Sequence, residues 1–384
     1  MTLPDIVVLG PASGPRHDSF EQACVDRLGR PPASIAWHDF LDRPALLEAA
    51  LHPRAYLRID TPDQDPVAIA ALHRAGEAGA AAAGFATVPA AREADLSGGA
   101  IGSPAQLCFG LVAAAERATA IARACGAAIS ATPEDLACAF DKGAALGRLK
   151  AAGLPVPRML PAPSGFDALV AAMDAARLNR VFVKLRHGSA AAGMIALARN
   201  GDDWIGITTA EQDGQGVLRA TRDVRRLAGH AEAAGLIDRL APLGLHVEEW
   251  LPKIGIDGRV ADVRIVMIEG GPIYPVLRTS RHPMTNLHLG GARAPVDALV
   301  RRIGEAAWEG VLASARKAAR CFPGSHVVGL DIAVLANARS HAVLEANVFG
   351  DFLKDVTIGG RCTHAAQIDR IVERLAAPAC AAAA

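Results

Sequence analysis

The sequence predicts a protein of the α/β class, with a parallel α/β lobe at the amino terminus and α+β structure in the remainder. Three observations lead there. The chain opens with the apolar run Ile6-Val7-Val8-Leu9, closed by Gly10 and followed by a helical pattern, which is a β-loop-α start. Its middle holds a strand, a loop of small residues and a second strand, and from Leu245 onward apolar strands dominate. At 384 residues the chain exceeds one core of ordinary size, so two or three lobes of roughly 100 to 150 residues are expected, with clefts between them.

The elements follow in order. The first helix is expected from Asp18 to Leu28, with Asp18 or Ser19 as its cap. Strands at Ser34 to Trp37 and Ala55 to Ile59 flank a helical Pro44 to Leu51 segment, so the first sheet should be parallel. Ala75 to Ala100, rich in Ala and Gly, reads as a helix and a flexible loop. Helical pattern resumes from Ala105 to Cys125, and a boundary falls near Ile129 to Pro133. A helix from Pro133 to Ala152 stops at Gly153, and the Pro-rich Leu154 to Gly165 stretch is a connector. Next come a helix (Phe166 to Arg177), a strand (Val181 to Leu185), a glycine loop (Arg186 to Gly193) and a strand (Met194 to Ala198). Beyond Leu245 the strands surround a long helix from Val296 to Arg320, and the tail after Pro378 is expected to fray. The resulting segments are 1–128, 129–250 and 251–384.

Composition excludes several function classes. Lys plus Arg and Asp plus Glu both number 40, so no sequence-wide basic field exists to attract nucleic acid or a membrane surface. The 51% hydrophobic fraction comes largely from alanine, and no unbroken run of about 18 apolar residues is read, so no membrane span is expected. The seven cysteines are scattered and never form C-x-x-C, which argues against disulfides and zinc. Met1 to Gly10 lacks a basic start and is interrupted by Asp5, so it reads as a strand and not as a signal peptide; the cytoplasm is the default compartment.

The strongest chemical signal is a pair of strand-like segments, Val327 to Leu335 and His341 to Asn347. If Ala336 to Ser340 is a hairpin centred on Ala338, Asp331 and Glu345 lie across from each other, and Asn347 shares the face of Glu345. Facing carboxylates repel unless a cation joins them, and magnesium is the natural candidate for hard oxygen ligands. A solvent-facing acidic edge is the plainer alternative, but both segments are otherwise apolar. A second signal is Lys184 at the end of an apolar strand, followed by the small-residue loop around Ser189; such a loop can bring N–H groups to phosphate oxygens while the lysine acts as a point charge. It is not a Walker A loop, and Gly10 to Gly14 makes no G-x-G-x-x-G. A third is the run Glu248-Glu249-Trp250-Leu251, then Asp262-Val263-Arg264 on one strand face, then Arg278 opening a loop with Asn286, His288 and Gly290-Gly291. Charges recurring at successive strand ends favour a lined cleft over isolated ion pairs.

In this order, the Asp141-Lys142 pair, the Lys184 strand, the E-E-W-L hinge, D-V-R, the arginine before N-x-H-x-G-G, G-x-D-I and E-x-N resemble the ATP-grasp superfamily, in its carboxylate–amine ligase branch. The resemblance runs from Ala139 to Gly360. It implies an ATP-grasp fold in which two α+β subdomains clamp ATP, with Lys142 and Lys184 on the α- and β-phosphates and the Ser189 loop as a lid. Trp250 and Leu251 are implied to read the adenine edge through backbone groups, with Glu248 or Glu249 near its amine. Arg264 is placed with the nucleotide-binding residues. Asp331, Glu345 and Asn347 are implied to carry magnesium, with manganese as a substitute. Arg278 is implied to stabilise the transferring phosphoryl group and Asn286 to help hold it. The implied reaction activates a small-molecule or peptide carboxylate as an acyl phosphate and couples it to an amine; a homodimer stays open. Two departures stand out: no clear ribose-binding acid follows the hinge, and Val348-Phe349-Gly350 replaces the N-x-x-P-G continuation of peptide-modifying ligases. Arg58, near the end of its strand, is left between holding a substrate carboxylate and pairing with Asp60. The rival readings are a peptide-macrocyclising enzyme or phosphotransferase on the same fold, and an inactive nucleotide-binding regulator.

Overall fold

The computed structural model describes residues 3–63, 65–89, 99–269, 271–350, 353 and 355–376, and is organised by three large sheets. The first is parallel, in the order Ala33–Ala36, Asp5–Gly10, Ala55–Ile59, Ala128–Ile129. Alternation along its strands divides the faces. Val7, Leu9, Leu57 and Ile59 enter the main core, whereas Ile6, Val8 and Tyr56 face the other way. That second face is covered by helix Pro15–Leu28 and by helix Thr363–Ala376, which returns from the far end of the chain and sets Ile368 and Ile371 beside Phe20. The returning helix is not among the sequence expectations, although Ile368, Ile371, Val372 and Leu375 have helical spacing.

The main-core face is covered in part by the helix pair Pro66–Ala82 and Pro104–Ala124. Pro104–Ala124 is long and apolar enough to cross a membrane by length and composition, but 56% of that window is buried inside the protein. Its partner approaches very closely. A Cβ on Gly76 would stand 1.9 Å from the Gln106 carbonyl oxygen, and one on Gly110 1.9 Å from that of Leu72.

The second sheet is antiparallel, in the order Met159–Leu160, Leu245–Glu249, Arg180–Leu185, Ile195–Asn200, Asp203–Gln212, Leu218–Leu227. One face packs Val181, Val183, Leu185 and Val247 under helices Phe166–Ala176 and His230–Leu240. The other face presents Phe182, Lys184, His246 and Glu248 to a cleft. The third sheet, also antiparallel, runs Ala292–Ala294, Ile273–Ser280, Arg259–Ile268, Val327–Val334, His341–Asn347. Val263, Ile265, Leu277, Leu330 and Ile332 sit in the main core, so the alternate residues Asp262, Arg264, Arg278, Asp331 and Glu345 share the opposite face.

Several expectations change. The helix expected from Asp18 begins at Pro15 behind Gly14, because proline suits a first turn whose N–H groups have no partner; Asp18 then lies in that turn. The single helix expected over Pro133 to Ala152 is two, Pro133–Phe140 and Lys142–Ala151, divided at Asp141. That expected over Val296 to Arg320 is also two, Val296–Ile303 and Glu305–Ala319, because Gly304 takes φ +83°. The hairpin reaches its expected pairing by a different route. Near the turn Val334 faces His341 and Ile332 faces Val343, one residue out of register for a turn centred on Ala338, and a bulge beyond Ile332 restores Asp331 opposite Glu345. Residues 90–98 of the expected loop, Gly270 of the expected Gly-Gly turn and the tail from 377 lie outside the described residues.

Candidate active site

Lys184 ends its strand inside the cleft. The neighbouring strand pairs His246 directly with it, and Glu248, two residues on, projects from the same face. Lys184 Nζ donates to Glu248 Oε1 at 2.5 Å, and Glu248 Oε2 lies 3.1 Å from His246 Nε2. Burial opposes the Glu248 charge, but Lys184 and His246 overcome it and hold its carboxyl at about 2. Glu248 is thus committed to orienting the lysine. Glu249 projects to the other face, 3.8 Å from Arg158 Nε.

Lys142 arrives through the helix break. Asp141 caps Lys142–Ala151 by accepting from the N–H groups of Gly143 (3.0 Å) and Ala144 (3.1 Å). The same carboxylate accepts two hydrogen bonds from Arg186, at 2.9 and 2.6 Å, and so ties this helix to the start of the glycine loop. Lys142 Nζ then donates to the Gly188 carbonyl at 2.6 Å and lies 3.4 Å from Glu345 Oε1. One ammonium thus bridges loop and third sheet.

On that sheet Asp262 accepts from Arg278 Nε at 2.9 Å, from Lys253 Nζ at 2.8 Å and from the Thr285 hydroxyl. Burial works against its charge, and Arg278 followed by Lys253 outweighs it, so the Asp262 carboxyl stays well below the usual range. Arg278 continues to Asp331, whose Oδ1 is 3.1 Å from Arg278 Nη2 and 2.9 Å from Arg264 Nε, as ion pairs at angles too bent for hydrogen bonds. Glu345, opposite, keeps 31% of its side chain exposed. Burial pushes its carboxyl up, yet Lys142, Lys184 and Arg264 together hold it below its ordinary value.

Two loops lean over this cluster. The 186–193 loop has Ala190 and Ala191 at φ +51° and +59°, left-handed positions that an alanine holds only when its surroundings demand it. The Thr209 hydroxyl donates to the Ala191 carbonyl, and the Ala190 carbonyl is 2.9 Å from His288 Nε2 in the loop after Arg278. Ser189 lies exposed at the turn. Asn286, half-buried, precedes the short 3-10 turn Leu287–Leu289 that carries His288.

The structure therefore brings Lys142, Lys184, Arg264, Arg278, Asp331 and Glu345 to one place, with Asn347 two residues beyond Glu345 on its face. The Trp250 backbone N–H donates to the Arg180 carbonyl at 3.3 Å and its ring packs on Phe182, centroids 5.5 Å apart, so that of the backbone groups expected to meet adenine this N–H is engaged within the protein. Leu251 follows, half-buried, beyond the strand. The site residues missed from sequence are His246, Lys253, Thr285 and Arg186. Only His246 had a signal, its two-residue spacing from Glu248.

The donor set suits a magnesium ion. Among the described residues no group of three or more His, Cys, Asp and Glu converges, which disfavours an all-protein metal cage. One or two carboxylates shared with substrate phosphates are how magnesium is usually held, and Asp331 and Glu345 would supply them. The buried Asn347 Nδ2 has no hydrogen-bond partner, so turning the amide to present its oxygen breaks nothing.

The sequence matches no protein-family model and no curated protein. Solved structures do match over nearly the whole chain. The ATP-grasp ligase PsnB, complexed with precursor peptide PsnA2 and AMPPNP, is 18% identical with a TM-score of 0.51, covering 97% of this chain and 98% of that one. D-cycloserine synthetase DcsG is 14% identical with a TM-score of 0.56, over 96% of this chain and 99% of that one. Biotin carboxylase from Campylobacter jejuni is 13% identical with a TM-score of 0.55, over 97% of this chain and 72% of that one.

Proposed function

From the ATP-grasp fold that this chain has, we propose that it is an ATP-dependent, ADP-forming carboxylate–amine ligase acting through an acyl phosphate. The observation that carries the reading is the convergence of Lys142, Lys184, Arg264 and Arg278 on the Asp331–Glu345 pair. Glu248 and Asp262 hold Lys184 and Arg278 in place, and four fixed cations beside the part-exposed Glu345 suit a bound magnesium–polyphosphate. A carboxylate is a poor electrophile, and phosphoryl transfer to it needs positioning and charge neutralisation more than covalent chemistry from the protein.

The residues divide that work. Lys184, held by Glu248, and Lys142, now resting on Gly188 and Glu345, would bind the nucleotide's phosphates. Arg278, fixed by Asp262, would bind the transferring group. Magnesium on Asp331, Glu345 and Asn347 would neutralise phosphate charge. The 186–193 loop, held by Thr209 and His288, would exclude water from the acyl phosphate intermediate, which hydrolyses readily. ATP as co-substrate makes the cytoplasm the working compartment.

The test is nucleotide release with pooled amino acids and small carboxylates. ADP that rises with substrate, with acyl hydroxamate on adding hydroxylamine, supports the reading; AMP as product refutes the acyl-phosphate route. A second reading, a ligase that modifies a peptide, is favoured by the likeness to PsnB, which is solved with its precursor peptide, over 97% of this chain. It requires that a peptide, and no free amino acid, stimulate ADP release.

A further inference from the structure

A cavity of about 260 Å³ lies between the first sheet, the third sheet and helix Thr363–Ala376, and the phosphoryl chemistry above makes no use of it. Val327, Val348, Phe349 and Ile371 form its apolar wall. It is tied through the chain to the residues proposed to hold magnesium. Val348 follows Asn347 in the chain, and Val327 shares the sheet face of Asp331 by alternation. Phe349 also packs on Phe140, ring centroids 5.2 Å apart, just ahead of Asp141 and Lys142.

Its polar wall is unfinished. Arg58 and Gln367 are 6% and 4% exposed, and Arg58 Nη1 donates to Gln367 Oε1 at 2.6 Å. That bond sets the amide, because the flipped orientation would place donor against donor. Gln367 Nε2 is consequently left buried without an acceptor, and so is Arg58 Nε. Buried donors are rarely left without a partner, and two in one cavity wall call for an acceptor that the protein does not supply. Asp60 already takes Arg58 Nη2 at 3.1 Å. At the rim Arg370 and Arg374 are paired with Glu373 and Glu269, so the rim is neutral and the buried Arg58 and Gln367 carry the recognition. His326, 2.5 Å from the Tyr56 hydroxyl, is held neutral at pH 7 because burial pulls it down to about 4. The acceptor that best suits amide and guanidinium N–H groups is a carboxylate.

We propose that this cavity is the co-substrate pocket of the ligase and takes a small carboxylate with an apolar body, apolar amino acids being the simplest members. The carboxylate is received by Gln367 and Arg58, and the body lies against Val327, Val348 and Ile371. The assignment rests on the ligase reading and adds the substrate class.

Full-length protein with AMPPNP and magnesium is titrated by calorimetry with L-leucine, L-phenylalanine and 3-phenylpropanoate, with leucinol and phenylalaninol as carboxylate-free controls; ADP release is followed on the same panel with ATP. At least one carboxylate is expected to bind, its alcohol about tenfold or more weakly, the worth of one charge-assisted hydrogen bond. Gln367→Glu keeps an oxygen toward Arg58 and removes the N–H donors; it should raise KM for the carboxylate about tenfold, leaving kcat and the KM for ATP unchanged. Ile371→Trp, which fills the cavity, should abolish carboxylate binding while AMPPNP still binds, which also reports that the variant is folded. Wild-type carboxylate affinity in both variants, or no carboxylate binding to a wild-type chain that binds AMPPNP, overturns the pocket and leaves the ligase reading standing. Failure of AMPPNP to bind the wild-type chain overturns that reading and the pocket with it.

Discussion

Asp262 and Glu345 lie on one face of the third sheet, both among cations, and they are built in opposite ways. Asp262 is 2% exposed and saturated, taking Arg278, Lys253 and the Thr285 hydroxyl. Glu345 has one long contact, 3.4 Å to Lys142, and keeps 31% of its side chain open to the cleft. A carboxylate whose partners are all in place holds structure together. One with a single long contact and room beside it is free to take a ligand. The two therefore share chemistry but not purpose, and each should respond differently to losing its charge.

Asp262→Asn should be the most severe change, because it leaves Lys253 buried without its counter-charge and Arg278 with Asp331 alone. Breaking such a network by one partner costs about 3–5 kcal/mol, read as a lowered urea midpoint; wild-type stability would erase the contrast. Glu345→Gln should leave the unfolding free energy within about 0.5 kcal/mol of wild type and cut ADP release at least ~100-fold. Full turnover in this variant would remove Glu345 from the chemistry.

Glu248 sharpens the comparison with pH. Its carboxyl is held at about 2, against 4.5 for an ordinary glutamate. A depressed value stabilises the folded state above the unfolded value and loses that contribution as pH falls through the folded one. The loss should therefore occur between pH 4.5 and 2, on the order of 2–3 kcal/mol. Urea midpoints across that window should fall more steeply for wild type than for Glu248→Gln; parallel slopes would mean that Lys184 does not hold the carboxylate charged. The smallest effect is expected from His288→Ala, which removes the contact to the Ala190 carbonyl, worth about 0.5–1.5 kcal/mol. Deuterium uptake at 187–193 should rise with the melting temperature unchanged, and unaltered uptake would show that the loop is held without it.

Much of this was legible locally. The strands Ala55–Ile59 and Arg180–Leu185 follow from apolar runs, and the lysine at the end of the second marks the cleft. The broken helix was readable in principle, since Asp141 before Lys142-Gly143 is a cap signal, yet continuous apolar spacing on either side hid it. The opposition of Asp331 and Glu345 was reached from a symmetric turn that the chain does not make; the bulge beyond Ile332 supplies the missing residue. Nothing local points Lys253 or Thr285 at Asp262, because both come from loops whose course is set elsewhere.

By itself the sequence determined which residues alternate inward, where charges end strands, and the order of motifs that resembles the ATP-grasp superfamily, since these depend on periods of two and 3.6 and on neighbours along the chain. Only the tertiary structure decided which carboxylate is satisfied and which is open, that Glu248 is bound to Lys184, and that helix Thr363–Ala376 closes a cavity beside Arg58. Whether a charge is satisfied depends on groups that the fold brings in from 9 residues away, as Lys253 to Asp262, to 203, as Lys142 to Glu345, and no local periodicity encodes those distances.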